Sequence, residues 1–305
     1  MDHDDPPPGM LTSPLPALDD AEAERVPPGL PPVVDAHVHL FPEGLFTAIW
    51  SWFDRHGWPV RYRLSTEQLA TYLQGRGVTH VVALHYAHRP GVARDLNRQM
   101  AELCQRHGGV TGLATVFPGE DGATAILEQA FAMGLRGVKL HAHVQCFELE
   151  SEAMDRIYDC CAASSRPLVM HAGREPKSPA YACDPYQTCG AARVRRVLDR
   201  HSRLKLCVPH LGADEFEAFR QLQADHDNLW LDTTMALASY LPGPTPPPLA
   251  GYRSDRLLYG SDFPNIPYDY DLAIKSITSL PVSDEVKEKM LWRNAARFYG
   301  LEGIE

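Results

Sequence analysis

The stretch "VVDAHVHLF", Val33 to Phe41, is a short apolar run that carries two histidines separated by a single residue. Such a run predicts a buried strand, in which alternate side chains share one face. We therefore expect Asp35, His37 and His39 to point one way and the intervening apolar side chains the other. The two imidazoles are either ordinary polar positions of a strand or a pair of ligands for a metal ion.

Seven further strands are predicted downstream, and segments with the apolar spacing of helices separate them. The eight strands span residues 33–38, 78–85, 110–116, 135–141, 167–171, 204–210, 228–234 and 256–262. Apolar strands that alternate with helices favour parallel pairing with both faces covered. Eight strands close a (β/α)8 TIM barrel at about the length of this chain. A doubly wound sheet is the alternative, but the Gly-rich turn it usually carries does not follow "VVDAHVHLF".

The first 32 residues differ in composition from the rest of the chain. They contain nine of the 26 prolines, seven acidic residues and one basic residue. We interpret residues 1–32 as an extended arm and residues 33–305 as a single α/β barrel domain. The arm is either an assembly contact, which leaves a homo-oligomer open, or a disordered segment.

The overall composition is that of a protein with a sizeable core: 44% of the residues are hydrophobic and 22% are charged. The formal net charge of -10 and the lack of a Lys/Arg cluster argue against nucleic acid and a membrane surface as partners. No apolar run is long enough to span a bilayer, and the N-terminus lacks the pattern of a secretory signal. Seven cysteines without a C-x-x-C pair fit reduced thiols in a cytoplasm.

Polar residues recur at the carboxyl ends of the predicted strands. In a (β/α) barrel these ends converge on one rim, where active sites are built. A single buried histidine is an ordinary core residue, but a repeat of the pattern in strand after strand predicts a common site. The residues concerned are His37, His39, His85, Lys139, His141, His171, His210, Asp232 and Asp262.

Five motifs together carry a resemblance to a known family: "DAHVHL", "GVKLHAHVQ", "PLVMHAG", "VPHLG" and "YGSDFP". The chain resembles the amidohydrolase superfamily, and most closely its amidohydrolase-related branch, which includes aminocarboxymuconate-semialdehyde decarboxylase and related C–C lyases. The resemblance runs from about Val33 to Leu301. The order of these motifs over successive strands is more specific than any one of them.

The resemblance implies a mononuclear metal site. His37, His39, His171 and Asp262 would hold one divalent cation, with Zn²⁺ expected and Mn²⁺ as the alternative. Imidazoles and a carboxylate suit a borderline ion of this kind. Asp262 would also accept the proton of a metal-bound water. By the same resemblance, His210 would be a catalytic residue or stabilise an oxyanion.

Lys139 has three interpretations. A buried lysine requires an anionic partner or a lowered pKa, so Lys139 either binds a substrate carboxylate or forms a structural ion pair. The third interpretation, a carboxylated lysine that bridges two metal ions as in binuclear relatives, ranks below the other two. His141 shares the face of Lys139 and is a substrate-binding candidate, whereas His143 falls beyond the strand and is assigned to a loop.

Trp58, His85 and Arg174 are further substrate-binding candidates at the rim. Trp58 follows an aromatic segment after the first strand, and His85 ends the second strand. Arg174 opens a long loop after the fifth strand, where it either binds an anionic substrate group or pairs with Glu175 or Asp184. Long loops at this rim are usually functional.

Three functions compete on this pattern. The leading one is a metal-dependent hydrolase that uses a metal-bound water on an amide, ester or lactone carbonyl of a small molecule. The alternative is a decarboxylase or hydratase of a small unsaturated or aromatic acid at the same site, with the substrate carboxylate held by a cation. A catalytically silent barrel comes third, because it requires a missing ligand position and none is missing.

Overall fold

The computed structural model describes residue 18 and residues 21–175, 177–178, 180–238 and 248–304. Every predicted strand is found, although most are shorter than expected. The strands are β1 (Val34–His39), β2 (His80–Leu84), β3 (Val110–Gly112), β4 (Val138–His141), β5 (Leu168–His171), β6 (Leu206–Val208), β7 (Leu229–Asp232) and β8 (Leu257–Leu258).

Helices follow the strands around the outside, and one π-helical turn, Lys289–Arg293, links the last two. The helices are α1 (Glu43–His56), α2 (Thr66–Gly75), α3 (Ala93–Arg106), α4 (Ala123–Ala132), α5 (Ala142–Gln145), α6 (Glu152–Ala163), α7 (Pro185–Thr188), α8 (Ala191–Arg200), α9 (Phe216–Asp225), α10 (Asp271–Thr278), α11 (Asp284–Glu288) and α12 (Asn294–Tyr299). The buried apolar residues of the longer helices, α2, α3, α4, α6, α8 and α9, belong to the hydrophobic core, as the spacing of the sequence predicts.

All strand pairs are parallel, in the orders β1-β2-β3 and β4-β5-β6-β7-β8. Single parallel bridges join these two groups at both sides, between Ala114 and Val138 and between Val38 and Phe263. The strands therefore follow one another round a barrel in sequence order, which confirms the predicted (β/α)8 fold. No helix among the described residues is long and apolar enough to cross a bilayer.

The part of the N-terminal arm that contains Glu22, Val26 and Leu30 lies against the barrel. The backbone N–H of Val26 donates to the carbonyl of Arg76 at 2.8 Å, and Arg76 also forms an ion pair with Glu22. Val26 and Leu30 pack on the hydrophobic core. Residues 1–17, 19 and 20 are not among the described residues, so the prediction for that part of the arm is not tested. The domain boundary at residue 32 stays a prediction.

One expectation about the first strand is wrong. Asp35 does not share a face with His37 and His39, because the register of β1 against β2 shifts between Asp35 and Val38. Such an irregularity inserts a residue and re-aims the side chains beyond it. Val34, before the shift, packs with Ala36 in an apolar cluster inside the barrel, and His37 and His39 also point inward.

Candidate metal centre and active site

Three side chains, from β1 and from the segment after β8, meet at the carboxyl end of the barrel. Nε2 of His37 lies 3.3 Å from Nε2 of His39, and Oδ1 of Asp262 lies 3.3 Å from the first nitrogen and 3.1 Å from the second. In a tetrahedral zinc site with bonds of about 2.0 Å, two ligand atoms are about 3.3 Å apart. We call His37, His39 and Asp262 the first cluster, and its spacing is that of three ligands of one cation.

The pairing of β1 with the segment after β8 holds these three residues together. The N–H of His39 donates to the carbonyl of Phe263 at 2.7 Å, and the N–H of Asp262 donates to the carbonyl of His37 at 3.0 Å. Gly260 permits this close approach, since a Cβ atom there would lie 2.7 Å from Cβ of His37. Asp262 itself adopts a φ of 69°, an uncommon conformation for a residue other than glycine that is often found at functional sites.

Asp35 lies outside the first cluster and forms hydrogen bonds with both β1 and the segment after β8. Its carboxylate accepts hydrogen bonds from the hydroxyl and the N–H of Ser261, at 2.6 and 3.1 Å, and from the hydroxyl of Tyr270 at 3.0 Å. It also accepts from the N–H of His37 at 3.1 Å. Asp35 therefore connects the backbone of one histidine ligand to the residue that precedes Asp262.

Asp232 orients the first histidine. Its Oδ2 lies 2.8 Å from Nδ1 of His37, and its Oδ1 accepts from the N–H groups of His210 and Thr234 at 3.0 and 3.1 Å. An aspartate that accepts from Nδ1–H fixes the tautomer with a lone pair on Nε2, the atom that faces the first cluster. Asp232 is predicted at the rim by its place in the seventh strand, and its contact with His37 is what shows its role.

The electrostatics of the first cluster match those of metal ligands. Burial, together with the charge of Lys139, lowers the pKa of His37 to about 4, and burial also lowers the pKa of His39. Burial acts to raise the pKa of Asp262, but the hydrogen bond with His39 and the nearby imidazoles bring it to about 2. At neutral pH the cluster therefore presents neutral imidazoles and one charged carboxylate, the forms that bind a metal ion.

A cation is the alternative to a hydrogen bond from Nε2 of His39, which lies 3.1 Å from Oδ1 of Asp262. Because Nδ1 of His37 donates to Asp232, the Nε2 atom of the neutral ring carries a lone pair. This atom faces Nε2 of His39, while Nδ1 of His39 has no partner among the described residues. A divalent ion bound between the two Nε2 atoms and the carboxylate would satisfy all three ligand atoms.

Lys139 lies beside the first cluster and is fully buried. Its Nζ is 3.5 Å from Nε2 of His37, and no carboxylate of the described residues forms an ion pair with it. Burial lowers the pKa of Lys139 to about 8, although Asp232 and Asp262 act in the opposite direction from a distance. The structural ion pair considered for Lys139 is therefore not found in the described part of the chain.

A second group of imidazoles, which we call the second cluster, lies nearby and consists of His141, His143 and His171. One ligand atom from each lies within 4.8 Å of the others. The assignment of His143 to a peripheral loop is wrong, since α5 turns it back into the barrel, where it is fully buried. His171, the predicted fourth ligand of the first cation, is grouped here instead, and its role in the first cluster stays a prediction.

His210 lies between the two clusters. Its ring centroid is 4.7 Å from that of His171 and 5.7 Å from that of His37. Nδ1 of His210 donates to the carbonyl oxygen of Thr234 at 3.0 Å, which leaves Nε2 available for proton transfer. This position is compatible with the catalytic role predicted for His210.

Trp58 and His85 are two of the three remaining candidates. Nε1 of Trp58 donates at 2.7 Å to the carbonyl of Asn265, in the segment that follows Asp262. His85 is buried, and burial lowers its pKa to about 4. Their predicted contacts with substrate are not tested by these positions.

Arg174 pairs with partners that sequence analysis did not name. Its Nε lies 3.4 Å from Asp214 and 3.1 Å from Glu215, and its guanidinium stacks over the ring of Tyr186. The expectation that it pairs with Glu175 or Asp184 is therefore wrong. Arg174 ties the loop after β5 to the loop after β6, because both carboxylates belong to the latter.

Comparison with known protein families identifies the fold and the class of site. The family profile described as Amidohydrolase matches residues 34–301. The chain belongs to the amidohydrolase family. No curated protein matches the sequence. The amidohydrolase match covers all residues of both clusters, and it makes this chain an enzyme of a metal-dependent family.

Solved structures similar to this amidohydrolase include two decarboxylases. The 5-carboxyvanillate decarboxylase of Sphingomonas paucimobilis is 17% identical, with a TM-score of 0.64 over 88% of this chain and 99% of that chain. The 2,6-dihydroxybenzoate decarboxylase of Rhizobium is 15% identical, with a TM-score of 0.64 over 90% and 100%.

A third solved structure has a different description. The probable 2-pyrone-4,6-dicarboxylic acid hydrolase of Acinetobacter baumannii is 17% identical, with a TM-score of 0.59 over 88% of this chain and 99% of that chain. At these identities the three structures establish the barrel fold that this chain shares. The reaction of this chain has to be inferred from the residues of its own site.

Proposed function

We propose that this amidohydrolase is a metal-dependent, non-oxidative decarboxylase of a small aromatic or unsaturated acid. The observation that carries the proposal is the buried ammonium group of Lys139 beside the first cluster, without a carboxylate partner among the described residues. A buried cation next to a metal site favours a substrate with an acid group. The similar structures of two decarboxylases of aromatic acids support the same reaction.

The metal ion would be held by His37, His39 and Asp262. Two neutral imidazoles and a carboxylate suit Zn²⁺, and Mn²⁺ is bound in a similar 5-carboxyvanillate decarboxylase of Novosphingobium aromaticivorans, 14% identical with a TM-score of 0.68 over 92% of this chain and 99% of that one. When bound, the ion supplies charge that orients and polarises the oxygen atoms of the substrate. The proposal requires only these three ligands.

The other residues bind the substrate and move a proton. Lys139 holds the carboxylate, and its partner His37 is in turn fixed by Asp232. In the reaction the bond between carbon and CO₂ breaks, the electron pair stays on the carbon, and a proton takes the place of CO₂. We assign proton delivery to His210: its Nδ1–H donates to the carbonyl of Thr234, so its Nε2 would take up a proton from water and pass it to that carbon.

Arg174 is the weaker candidate for holding the acid group. Its charge is already compensated by Asp214 and Glu215. Moving it into the site would leave both of these carboxylates without that partner. Lys139 would bind the substrate without a comparable loss.

Hydrolysis is the second candidate, and the similarity to the probable 2-pyrone-4,6-dicarboxylic acid hydrolase favours it. In this reaction Asp262 would take the proton of the attacking water and pass it to the leaving group. The substrate would again carry a carboxylate, so Lys139 would keep its role. The two reactions therefore share a site and differ in the bond that breaks.

One assay separates the two reactions. Metal-loaded protein is incubated with 2,6-dihydroxybenzoate and 5-carboxyvanillate while CO₂ release is measured, and with 2-pyrone-4,6-dicarboxylate while the absorbance of the ring is followed. We expect CO₂ from a phenolic acid, loss of turnover in His37→Ala, and unchanged turnover in His201→Gln, a histidine held by Asp155 and Asp159 outside the barrel. Ring opening of the pyrone without CO₂ release from either acid would contradict decarboxylation.

A further inference from the structure

Two cysteines from different parts of the fold lie side by side at the carboxyl end of the barrel. The thiol of Cys146 donates to the carbonyl oxygen of His143 at 3.3 Å, and the thiol of Cys183 donates to the same oxygen at 3.2 Å. The two thiols also contact each other. Cys146 is the residue that ends α5, and Cys183 lies in the loop after β5, directly before the residue that caps α7. The fold therefore brings together two sulfur atoms that are far apart in the sequence.

This pair differs from the other cysteines in its accessibility. Cys146 is exposed and Cys183 is half-buried. Cys104 and Cys160 lie on α3 and α6, which α4 separates in the order of the elements. The other three cysteines are buried: Cys161, Cys189 and Cys207. An oxidant in solution can therefore reach both members of the pair formed by Cys146 and Cys183.

The helical turn that carries Cys146 is held in place by its neighbour, Gln145. Nε2 of Gln145 donates to the carbonyl oxygens of Ala87 and Val116, both at 2.9 Å, and its Oε1 accepts from the N–H of His141 at 2.8 Å. Cys146 itself adopts a φ of 51°, the left-handed conformation that glycine usually supplies at the end of a helix. The backbone of one cysteine is therefore anchored, and rotation of the two thiols brings the sulfur atoms towards bonding distance.

We propose that Cys146 and Cys183 form a reversible disulfide when the protein meets a small oxidised thiol such as glutathione disulfide. This modification site goes beyond the proposed function and does not depend on it, since neither cysteine belongs to the first cluster. Disulfides in proteins whose thiols are otherwise reduced are usually catalytic or redox-sensing. The reduced thiols expected from the sequence are then one of two forms of this pair.

Two exchange steps form the bond. Cys146, the more exposed thiol, loses its proton to water, and its sulfur attacks glutathione disulfide and releases the first glutathione as a thiolate. Cys183 then loses its proton, and its sulfur attacks Sγ of Cys146 and releases the second glutathione. The released thiolates take up two protons, so two protein thiols are oxidised and one disulfide is reduced. Burial raises the pKa of Cys183 to about 11, which is why we assign the first attack to Cys146.

The disulfide would fasten a loop that forms part of the wall of the site. Oε1 of Glu175, near the start of the loop after β5, contacts Nε2 of His143. The ring of Tyr181 lies with its centroid 4.7 Å from that of His143 and stacks on Trp52 of α1 at 5.5 Å. Because Cys183 follows Tyr181 by two residues, a bond from Cys183 to the end of α5 would keep this wall in the position that the structure shows. A link that fits the folded state in this way stabilises it.

The test is thiol counting and peptide mapping of the full chain, reduced with dithiothreitol and then incubated with glutathione disulfide. We expect the titratable thiols of the denatured protein to fall from seven to five. Trypsin should release residues 140–156 joined to residues 178–193, and dithiothreitol should separate them. Cys146→Ser and Cys183→Ser should each lose the cross-link. Two control variants, Cys160→Ser and Cys189→Ser, should keep it, and the second of these assigns the link to Cys183 within its peptide.

Thermal unfolding tests the position of the link. The oxidised wild-type protein should melt a few degrees above the reduced protein, by about 2–4 °C, and Cys146→Ser/Cys183→Ser, treated in the same way, should show no rise. Seven free thiols after oxidation, a glutathione adduct that does not proceed to the cross-link, or a link to another cysteine would overturn the proposal. A cross-link that lowers the melting temperature would overturn the fit to the native loop. None of these readouts uses turnover or metal content, so the proposed function can fail without changing them.

Discussion

Nδ1 of His37 lies 2.8 Å from Oδ2 of Asp232, a residue that follows it by 195 positions in the chain. Both side chains are fully buried, and the carboxylate also accepts two backbone hydrogen bonds. Through this contact an acid from β7 fixes the orientation of the His37 ring, whose other nitrogen, Nε2, faces the first cluster. The orientation of the first cluster therefore depends on a residue that would not itself touch the metal ion.

Replacing Asp232 should weaken metal binding without abolishing it. In Asp232→Asn either Nδ1–H of His37 or the two backbone N–H groups of His210 and Thr234 lose their acceptor, because the amide has a single oxygen. We expect the Zn²⁺ affinity of the first cluster to fall by about 10- to 100-fold, measured by competition with a chromophoric chelator. Asp225→Asn, which alters an exposed ion pair with Arg195, is the matched control. Equal affinities in the two variants would contradict this role.

Lys139→Met should separate substrate binding from metal binding. The methionine fills similar space but removes the charge that we assign to the substrate carboxylate. We expect an unchanged metal content and a fall of kcat/KM for acid substrates by about 10- to 100-fold, the value of one hydrogen bond to a charged group. Arg174→Met, which removes a cation already paired with Asp214 and Glu215, should have a smaller effect. Loss of the metal ion in Lys139→Met would assign the lysine to the metal site instead.

His80, at the start of β2, should lower the stability of the folded protein in acid. Burial, together with the charge of Arg136, lowers the pKa of His80 to about 4, and its Nε2 lies 2.9 Å from Oγ1 of Thr111. Between about pH 6.5 and pH 4 the unfolded chain takes up a proton that the folded chain does not, so stability falls as the pH falls.

The His80→Gln variant tests this sign. Its free energy of unfolding should decline less than that of the wild type from pH 6.5 to pH 4, by about 1 kcal/mol after allowance for the partial exposure of the ring. Urea denaturation of the metal-free proteins measures the difference. Above pH 7.5 the pH dependence of the two proteins should be the same, since the ring is neutral in both states. Parallel stability curves across the acid range would contradict the prediction.

The strand positions were largely predictable, because each short apolar run of the sequence became one strand of the barrel. Strand ends were less predictable. The last strand was predicted over residues 256–262 but pairs only at Leu257–Leu258. Gly260 fits against His37, and Asp262 adopts a positive φ, so the chain leaves the regular ladder to build the site.

The residues that sequence analysis missed depend on contacts between distant segments. The shift in β1 arises from its pairing with β2, so the pattern of β1 alone predicts the wrong face for Asp35. His143 is buried because a single helical turn follows β4, and a turn this short leaves no periodic signal. Glu175 reaches the second cluster only through the fold of its loop, although its place four residues after His171 was a signal that could have been used.

The most direct test of the account is the position of a bound metal ion. Crystals grown with Zn²⁺ and measured at the zinc absorption edge give an anomalous difference map that locates the ion. We predict a peak bonded to Nε2 of His37, Nε2 of His39 and Oδ1 of Asp262. A map with zinc peaks elsewhere and none between these three atoms would contradict the central claim.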